Sequence, residues 1–464
     1  MLIHKQVYGS YLLNYRSFHS EKGFIKPLFL PIINKRNFDL RITLFNKNVK
    51  DGQSVFEYTL TNGVIVSPGA KIRTGAVGIT GGKITAAKNG ITLNLQEKSC
   101  VYPSLINTHD HLQGNYRPPV GPKPGSFYLT WLPWDKDLKS SATFKERSQL
   151  TREDLYALSG YKCLFSGVTT VNDHFPHNLN HAILPTLPIR AIPDYCLAHE
   201  SSSYDLKWGD GIEIEHARAV KNKWPFITHL CEGFDDEAMN GVSGLEKLGV
   251  LDNHCLLIHC IALSDDDIKK IAKAGASVSW CGFSNMFMFN VTAKVKKLLK
   301  AGVNVTIGTD SSATGSANLL AEIKFDRQLY QKMYGEELSA KTMFQMLTIN
   351  AAKAFLMQDR IGSLEQGKLA DILVLKGKQD DPYENLVNAS MNDIELLILE
   401  GTPIYGELRF LDIFGGKLPA GYSQIKVGRR AMFVKGDPAG LYTEIRKKIG
   451  FKKELDYLPF DPGK

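Results

Sequence analysis

Across residues 103–362, short apolar strings alternate with stretches of helical pattern, and several of the strings end on His, Glu or Asp. The clearest strings are VYPSLINTH, GVTTVND, IRAIPDYCLAH, FITHLCE, HCLLIHC, ASVSWCG and NVTIGTD. Between them lie helix-like pieces such as REDLYALSGYKCLFS, DDIKKIAKAG and TAKVKKLLKAG. Ser264, ahead of Asp265, Asp266 and Asp267, is a ready N-cap with acids in the first turn, and Gly302 is a ready C-cap. Apolar strands that alternate with helices pack as a parallel sheet covered by those helices. This predicts an α/β fold, with a closed (β/α)8 TIM-like barrel over 103–362 as first choice. In such a barrel the C-terminal strand ends converge on one rim, where the chemistry is done.

The flanks have a different texture. Residues 52–102 carry short strands punctuated by glycine, as in FEYTLTNGVIVSPG and GAVGITGGKITA, and 363–415 return to that texture in KLADILVLKG and IELLILEGTPIYG. The two segments are expected to pair into one small β-sandwich, leaving 416–464 as a C-terminal extension and 1–51 as a basic N-terminal one. The net charge of +8 sits almost wholly in that first segment. Residues 1–50 hold nine Lys and Arg against Glu21 and Asp39, and the remainder is nearly balanced, so no basic groove for nucleic acid is expected. The leading segment reads as an unremarkable extension or as a targeting sequence. No apolar run reaches the roughly 18 residues of a membrane span. Seven cysteines, odd in number and without a CxxC pair, read as reduced core residues of a cytoplasmic protein.

Six residues at string ends could do chemistry: His109 and His111 in THDH, His229 and Glu232 in THLCE, His259 in LLIHC, and Asp310 in IGTD. His109 and His111 are two apart, so on a strand they share a face, as a metal pair requires. Three imidazoles and one carboxylate, with a position left for water, suit Zn²⁺, and Fe²⁺ is a further option. Each residue has a plain reading by itself. Asp310 before Ser311 could cap a helix, His259 among Leu256, Leu257 and Ile258 could be a core histidine, and Glu232 could open an acidic face. Together they fall at strand ends in the order that a single rim requires.

These strings resemble the amidohydrolase superfamily. PSLINTHDHL is similar to its first-strand metal motif, THLCE to its fifth-strand motif, LLIHC to its sixth strand and VNVTIGTDS to its eighth. The resemblance implies His109, His111, His229 and Asp310 as ligands of one divalent ion per chain, with Glu232, His259 and Asp310 as catalytic groups. Ser284 and Asn285 in SWCGFSN, and the return IGSLEQGKLADILVL, agree with it. The match runs from about 56 to 410. Its HxxE pattern, with no evident bridging lysine, looks like the mononuclear cytosine-deaminase and chlorohydrolase-like branch. Asn107, Ser104 and Gly282 depart from the usual Asp, Gly and Pro, and the stretch 199–226 is short for the helix and strand expected there.

The implied reaction is hydrolysis of a cyclic C–N bond, foremost the deamination of a purine, pyrimidine, pterin or triazine. Asp310 would take the water's proton, Glu232 would protonate the ring nitrogen and shuttle a proton to the leaving group, and His259 would hydrogen-bond the attacking oxygen. A ring-opening cyclic amidase is the second reading, and a catalytically silent scaffold the third. Gln113, Trp131, His174 and Asn285 are the expected substrate contacts, each with a packing or turn role as the plain alternative. The expected partners are a small heterocyclic substrate and further copies of the chain, with neither nucleic acid nor membrane.

Overall fold

A computed structural model describes residues 56–86 and 90–460; the basic segment 1–51 lies outside the described residues. The described strands form three sheets. The largest has ten strands and joins chain from both flanks. Its middle is Cys100–Pro103, paired parallel to Tyr58–Ile65 and antiparallel to Ile372–Leu375. From there it extends through Ile394–Leu399 and Thr402–Glu407. It does not stop at 415. Arg430–Lys435 pairs with Thr402–Glu407, and Tyr422–Val427 closes that edge, so strands of the C-terminal segment belong to the same sheet. A tight Gly428 turn (φ 59°) lets the two strands form a hairpin. Tyr58, Leu60, Ile79, Val101, Ile372, Val374, Leu396, Ile398 and Phe433 form one buried cluster of this sheet.

The other two sheets are parallel and covered by helices. One runs in the order Leu105–Asp110, Val168–Asp173, Arg190–Ala191. The other runs Asn304–Ile307, Ser277–Trp280, Cys255–His259, Phe226–Leu230, Cys196–Leu197. Ser104 divides VYPSLINTH, with its first half in the ten-stranded sheet and its second in the parallel one. Main-chain bonds tie the sheets at one pair of edges: Thr309 N and Asp310 N both donate to His109 O, at 3.1 and 3.0 Å. Thr108 Oγ1 adds bonds to Ile307 O at 3.0 Å and to the hydroxyls of Thr306 and Ser279.

At the other pair of edges the chain departs from a regular alternation. Only Ile192, Pro193, Asp194 and Tyr195 separate Arg190–Ala191 from Cys196–Leu197. A crossover between neighbouring parallel strands takes about a dozen residues, so no helix fits here. One extended run serves both edges: Ile192 N donates to Val171 O at 3.0 Å, and Ala198 N to Ile227 O at 3.1 Å. The shortness expected at 199–226 lies instead at 192–195, and 199–226 holds the helix Ile212–Asn222 that leads on to Phe226–Leu230.

The helices begin where their caps direct. Ser264 and Asp267 form a reciprocal capping box for Asp265–Ala274, and Thr151 and Asp154 do the same for Arg152–Leu164. Among the described residues, no helix is long and apolar enough to cross a membrane.

Candidate metal centre

Four imidazoles gather at the C-terminal strand ends. His109 is at the end of Leu105–Asp110 with His111 just beyond it, His174 follows Val168–Asp173, and His229 lies in Phe226–Leu230. One ring nitrogen from each lies within 4.8 Å of the others. Asp310 follows the last parallel strand, and its Oδ1 is 3.7 Å from both His109 Nε2 and His111 Nε2. Glu232 and His259 complete the group, with Glu232 Oε1 3.6 Å from His259 Nε2.

Local backbone geometry delivers these groups at some cost. His259 (φ 66°), Asp310 (φ 54°) and Cys231 (φ 52°) are non-glycine residues in the left-handed region. Such conformations cost roughly 1–3 kcal/mol each and persist where the surroundings over-determine them. Here the Asp310 amide is fixed on His109 O and the Cys260 amide on Leu230 O.

Hydrogen bonds to the outer ring nitrogens settle the tautomers. His111 Nδ1 donates to His174 O at 2.9 Å, and His229 Nδ1 donates to His199 O at 2.8 Å. Both residues therefore present a bare Nε2 inwards, which is the ligand form. His109 is fully buried and neither of its ring nitrogens has a partner. Burial, reinforced by the neighbouring imidazoles, holds His109 and His229 well below the usual histidine range, so they are neutral at pH 7. Buried neutral nitrogens without partners, facing a carboxylate, are what a divalent cation requires, and the residues present fit one.

The carboxyls are tuned in opposite directions. Burial alone would raise Asp310, but the charge that His111 and His259 carry when protonated, and the hydroxyls of Ser284 and Thr314 that donate to it at 2.7 and 2.8 Å, hold it below the usual carboxylate range. Glu232 is pushed well above the carboxylate range by burial first, and then by Asp310 and Glu200. One carboxylate and one carboxylic acid thus stand side by side, the pattern of a ligand next to a proton donor.

The other expected residues divide. Asn285 is engaged at both ends of its amide: Oδ1 accepts from His259 Nδ1 at 2.8 Å and Nδ2 donates to Thr292 Oγ1 at 3.2 Å. Through the first of these bonds it orients His259. Trp131 is buried and donates Nε1 to Glu200 Oε1 at 2.6 Å, with its ring 4.8 Å from that of His199. Gln113, in the single turn after His111, keeps a buried Oε1 without a partner. Sequence reasoning missed His199, Glu200 and Trp208, which wall the foreshortened quarter; the ending AHE of IRAIPDYCLAHE was the available signal. A separate grouping of His216, Asp252 and Cys255 lies at the opposite strand ends. There the Cys255 thiol donates to Val250 O at 3.0 Å and burial pushes it up to about 12, so it is a core thiol and not a ligand.

The comparisons with known proteins bear on this arrangement. The amidohydrolase family model matches residues 215–404. A 5-methylthioadenosine/S-adenosylhomocysteine deaminase of Thermoanaerobacter pseudethanolicus is 30% identical over 380 residues, covering 68% of this chain and 84% of that one. The chain belongs to the amidohydrolase family. It is a hydrolase of carbon–nitrogen bonds other than peptide bonds, of the heteroaromatic deaminase kind. A second enzyme of that name, from Moorella thermoacetica, is 33% identical over 183 residues, and there the match spans 43% of the relative's length. Among solved structures, an adenosine deaminase from Xanthomonas campestris with bound zinc shares the fold, with a TM-score of 0.62 at 18% identity over 85% of this chain and 98% of that one.

The departures from the amidohydrolase motifs have local explanations. Asn107 donates to Thr309 Oγ1 at 2.9 Å and accepts from Thr309 N at 3.1 Å, a strap that an amide makes from both ends. Ser104 hydrogen-bonds Thr169. Gly282 is dictated by Asp326, whose carboxylate occupies the space that a Cβ would need. Behind the centre, Lys162 Nζ reaches Asp110 at 2.8 Å and Asn115 Oδ1 at 2.7 Å, a fully buried pair that stiffens the strand end carrying His109 and His111.

Proposed function

We propose that this chain is a zinc-dependent deaminase that releases the exocyclic amine of an adenine nucleoside as ammonia. The observation that carries the reading is Glu232, a buried carboxyl held in its acid form beside a cluster of neutral imidazoles and an ionised Asp310. Kinship with relatives named as deaminases of adenine nucleosides supports the substrate class.

His109, His111, His229 and Asp310 are the residues that would hold one divalent ion. Such an ion, when bound, lowers the pKa of a water from 15.7 to about 7 and so supplies the nucleophile at neutral pH. The chain's own residues do the rest. Asp310 takes a proton from the attacking water. His259, with Nδ1 committed to Asn285, keeps Nε2 as an acceptor that orients that water. Glu232 donates its proton to the ring nitrogen next to the carbon under attack and relays a second to the departing amine. Trp131, tied at its edge to Glu200, offers a flat face for a purine, and Gln113 an unpaired amide oxygen for its rim.

The same proposal covers the architecture and setting. The two parallel sheets belong to one closed barrel of the (β/α)8 kind, foreshortened at 190–197, with the segments 52–102 and 363–435 as a second, β-sandwich domain. The chain acts in the cytoplasm as a homo-oligomer, in keeping with seven buried, unpaired cysteines.

The test is ammonia release by the zinc-loaded full chain offered adenosine, 5′-methylthioadenosine, guanine, cytosine and a cyclic amide. Ammonia from the adenine nucleosides is expected. Ring opening of the amide without ammonia would replace deamination with the amidase reading.

A further inference from the structure

His174 plays no part in the mechanism above, yet the fold places it inside the metal centre. It follows the strand Val168–Asp173, is fully buried, and its ring lies 4.5 Å from that of His229, 5.5 Å from that of His109 and 5.7 Å from that of His111. Its Nε2 is 3.0 Å from Ala198 O, and a carbonyl only accepts, so the proton of the neutral ring is on Nε2. Nδ1 is then a bare lone pair. It is buried, and no protein group hydrogen-bonds it. A buried acceptor in this state carries a desolvation cost unless something outside the protein satisfies it.

We infer that His174 Nδ1 is a fourth imidazole ligand of the divalent ion, alongside His109, His111 and His229. Two further features support it. The rigid element that sets this ring also sets a neighbouring ligand, because the carbonyl of His174 receives the Nδ1 proton of His111. The anchor on the far side, Ala198 O, belongs to the foreshortened run that serves both sheets, and Ala198 N is fixed on Ile227 O in the strand that carries His229. Closing the barrel without a separate strand there brings Ala198 to where it can hold His174 pointing inwards. Four nitrogens and one carboxylate oxygen make a more nitrogen-rich site than three imidazoles and a carboxylate, and they favour a tightly held borderline metal.

The inference rests on the metal-centre reading, and the experiment separates the two. The wild-type chain and the variants His174→Gln and His199→Gln are loaded with Co²⁺. Imidazole number is counted by X-ray absorption, and the dissociation constant is measured against a competing chelator. The expected result is four imidazoles in the wild type, three in His174→Gln, and a metal Kd raised at least 10- to 100-fold in that variant. His199→Gln, outside the cluster of ligand atoms, keeps the wild-type count and affinity. His174→Ala repeats the measurement if the glutamine variant fails to unfold cooperatively in its metal-free form. Three imidazoles in both wild type and variant, with equal Kd, overturns the assignment of His174 and leaves the centre intact. A wild-type chain that binds no metal overturns the centre itself.

Discussion

At the scale of single residues, each proton of the candidate centre is placed by hydrogen bonds and burial. His111 and His229 give theirs to backbone carbonyls, and His259 gives its Nδ1 proton to Asn285. Glu232 keeps its own because burial and two neighbouring carboxyls oppose ionisation. Glu232→Gln preserves volume and removes only the transferable proton. It is expected to lower turnover by roughly 10²–10⁴-fold while metal content stays that of the wild type. Steady-state ammonia release and metal analysis of one preparation check both halves. Unchanged turnover would remove Glu232 from the proton path. Asn285→Ala leaves His259 free to change tautomer, and a fall in kcat of about 10- to 100-fold with little change in KM is expected.

At the scale of elements, the helix Leu319–Tyr334 carries two acids one turn apart, Glu322 and Asp326, both fully buried beneath Gly282–Phe289. Glu322 accepts from Phe283 N at 2.9 Å, while neither oxygen of Asp326 has a partner. Burial pushes Glu322 up to about 7, and burial and Glu322 push Asp326 well above its ordinary range. The folded state therefore binds protons that the unfolded chain releases near pH 4. Stability from this pair is full at about pH 4 and is lost as pH rises towards and past 7. Asp326→Asn removes the second charge, so it should raise stability at pH 8 by about 1–3 kcal/mol and flatten the fall between pH 5 and 8. Urea unfolding at the two pH values reads this directly, and an unchanged slope would show that the pair does not titrate there.

Elements of this kind also show what the sequence could and could not convey. The strings ending in His109, His229, His259 and Asp310 were legible because strand periodicity and chemistry-bearing termini coincide in a few adjacent residues. Asp110 with Lys162 was not, since the partners are 52 positions apart and only the packed helix brings them together. The single run 190–197 doing the work of two strands was legible only as a shortage of chain. Nor does anything local mark Tyr422–Val427 as a sheet strand, because its apolar positions, Ile425 and Val427, are few and its pairing partners are tertiary.

At the scale of the whole molecule, the C-terminal segment is part of the structure that holds the centre. The helix Pro438–Ile449 and the residues after it bury Tyr442, Ile445, Ile449, Leu455 and Tyr457 against Leu155, Leu158 and Tyr116. Tyr457 OH donates to Asn115 O at 3.1 Å, and the same asparagine supports Lys162 and Asp110 behind His109 and His111. Lys453 to Glu146 and Arg117 to Asp456 (2.9 Å) tie the segment down at its edges. Fully burying a large apolar side chain stabilises by about 1.5–3 kcal/mol, and a whole domain retains only about 5–15 kcal/mol. A chain ended after Gly436 forfeits five such side chains, so it is expected to be insoluble or unfolded. Tyr457→Phe keeps the packing and deletes one hydrogen bond, for a cost of about 1 kcal/mol. If the tail acts on the centre through Asn115, that small change should also weaken metal binding measurably, whereas Leu455→Ala, of greater cost to stability, should not. A Tyr457→Phe variant with wild-type metal affinity would confine the tail to a packing role.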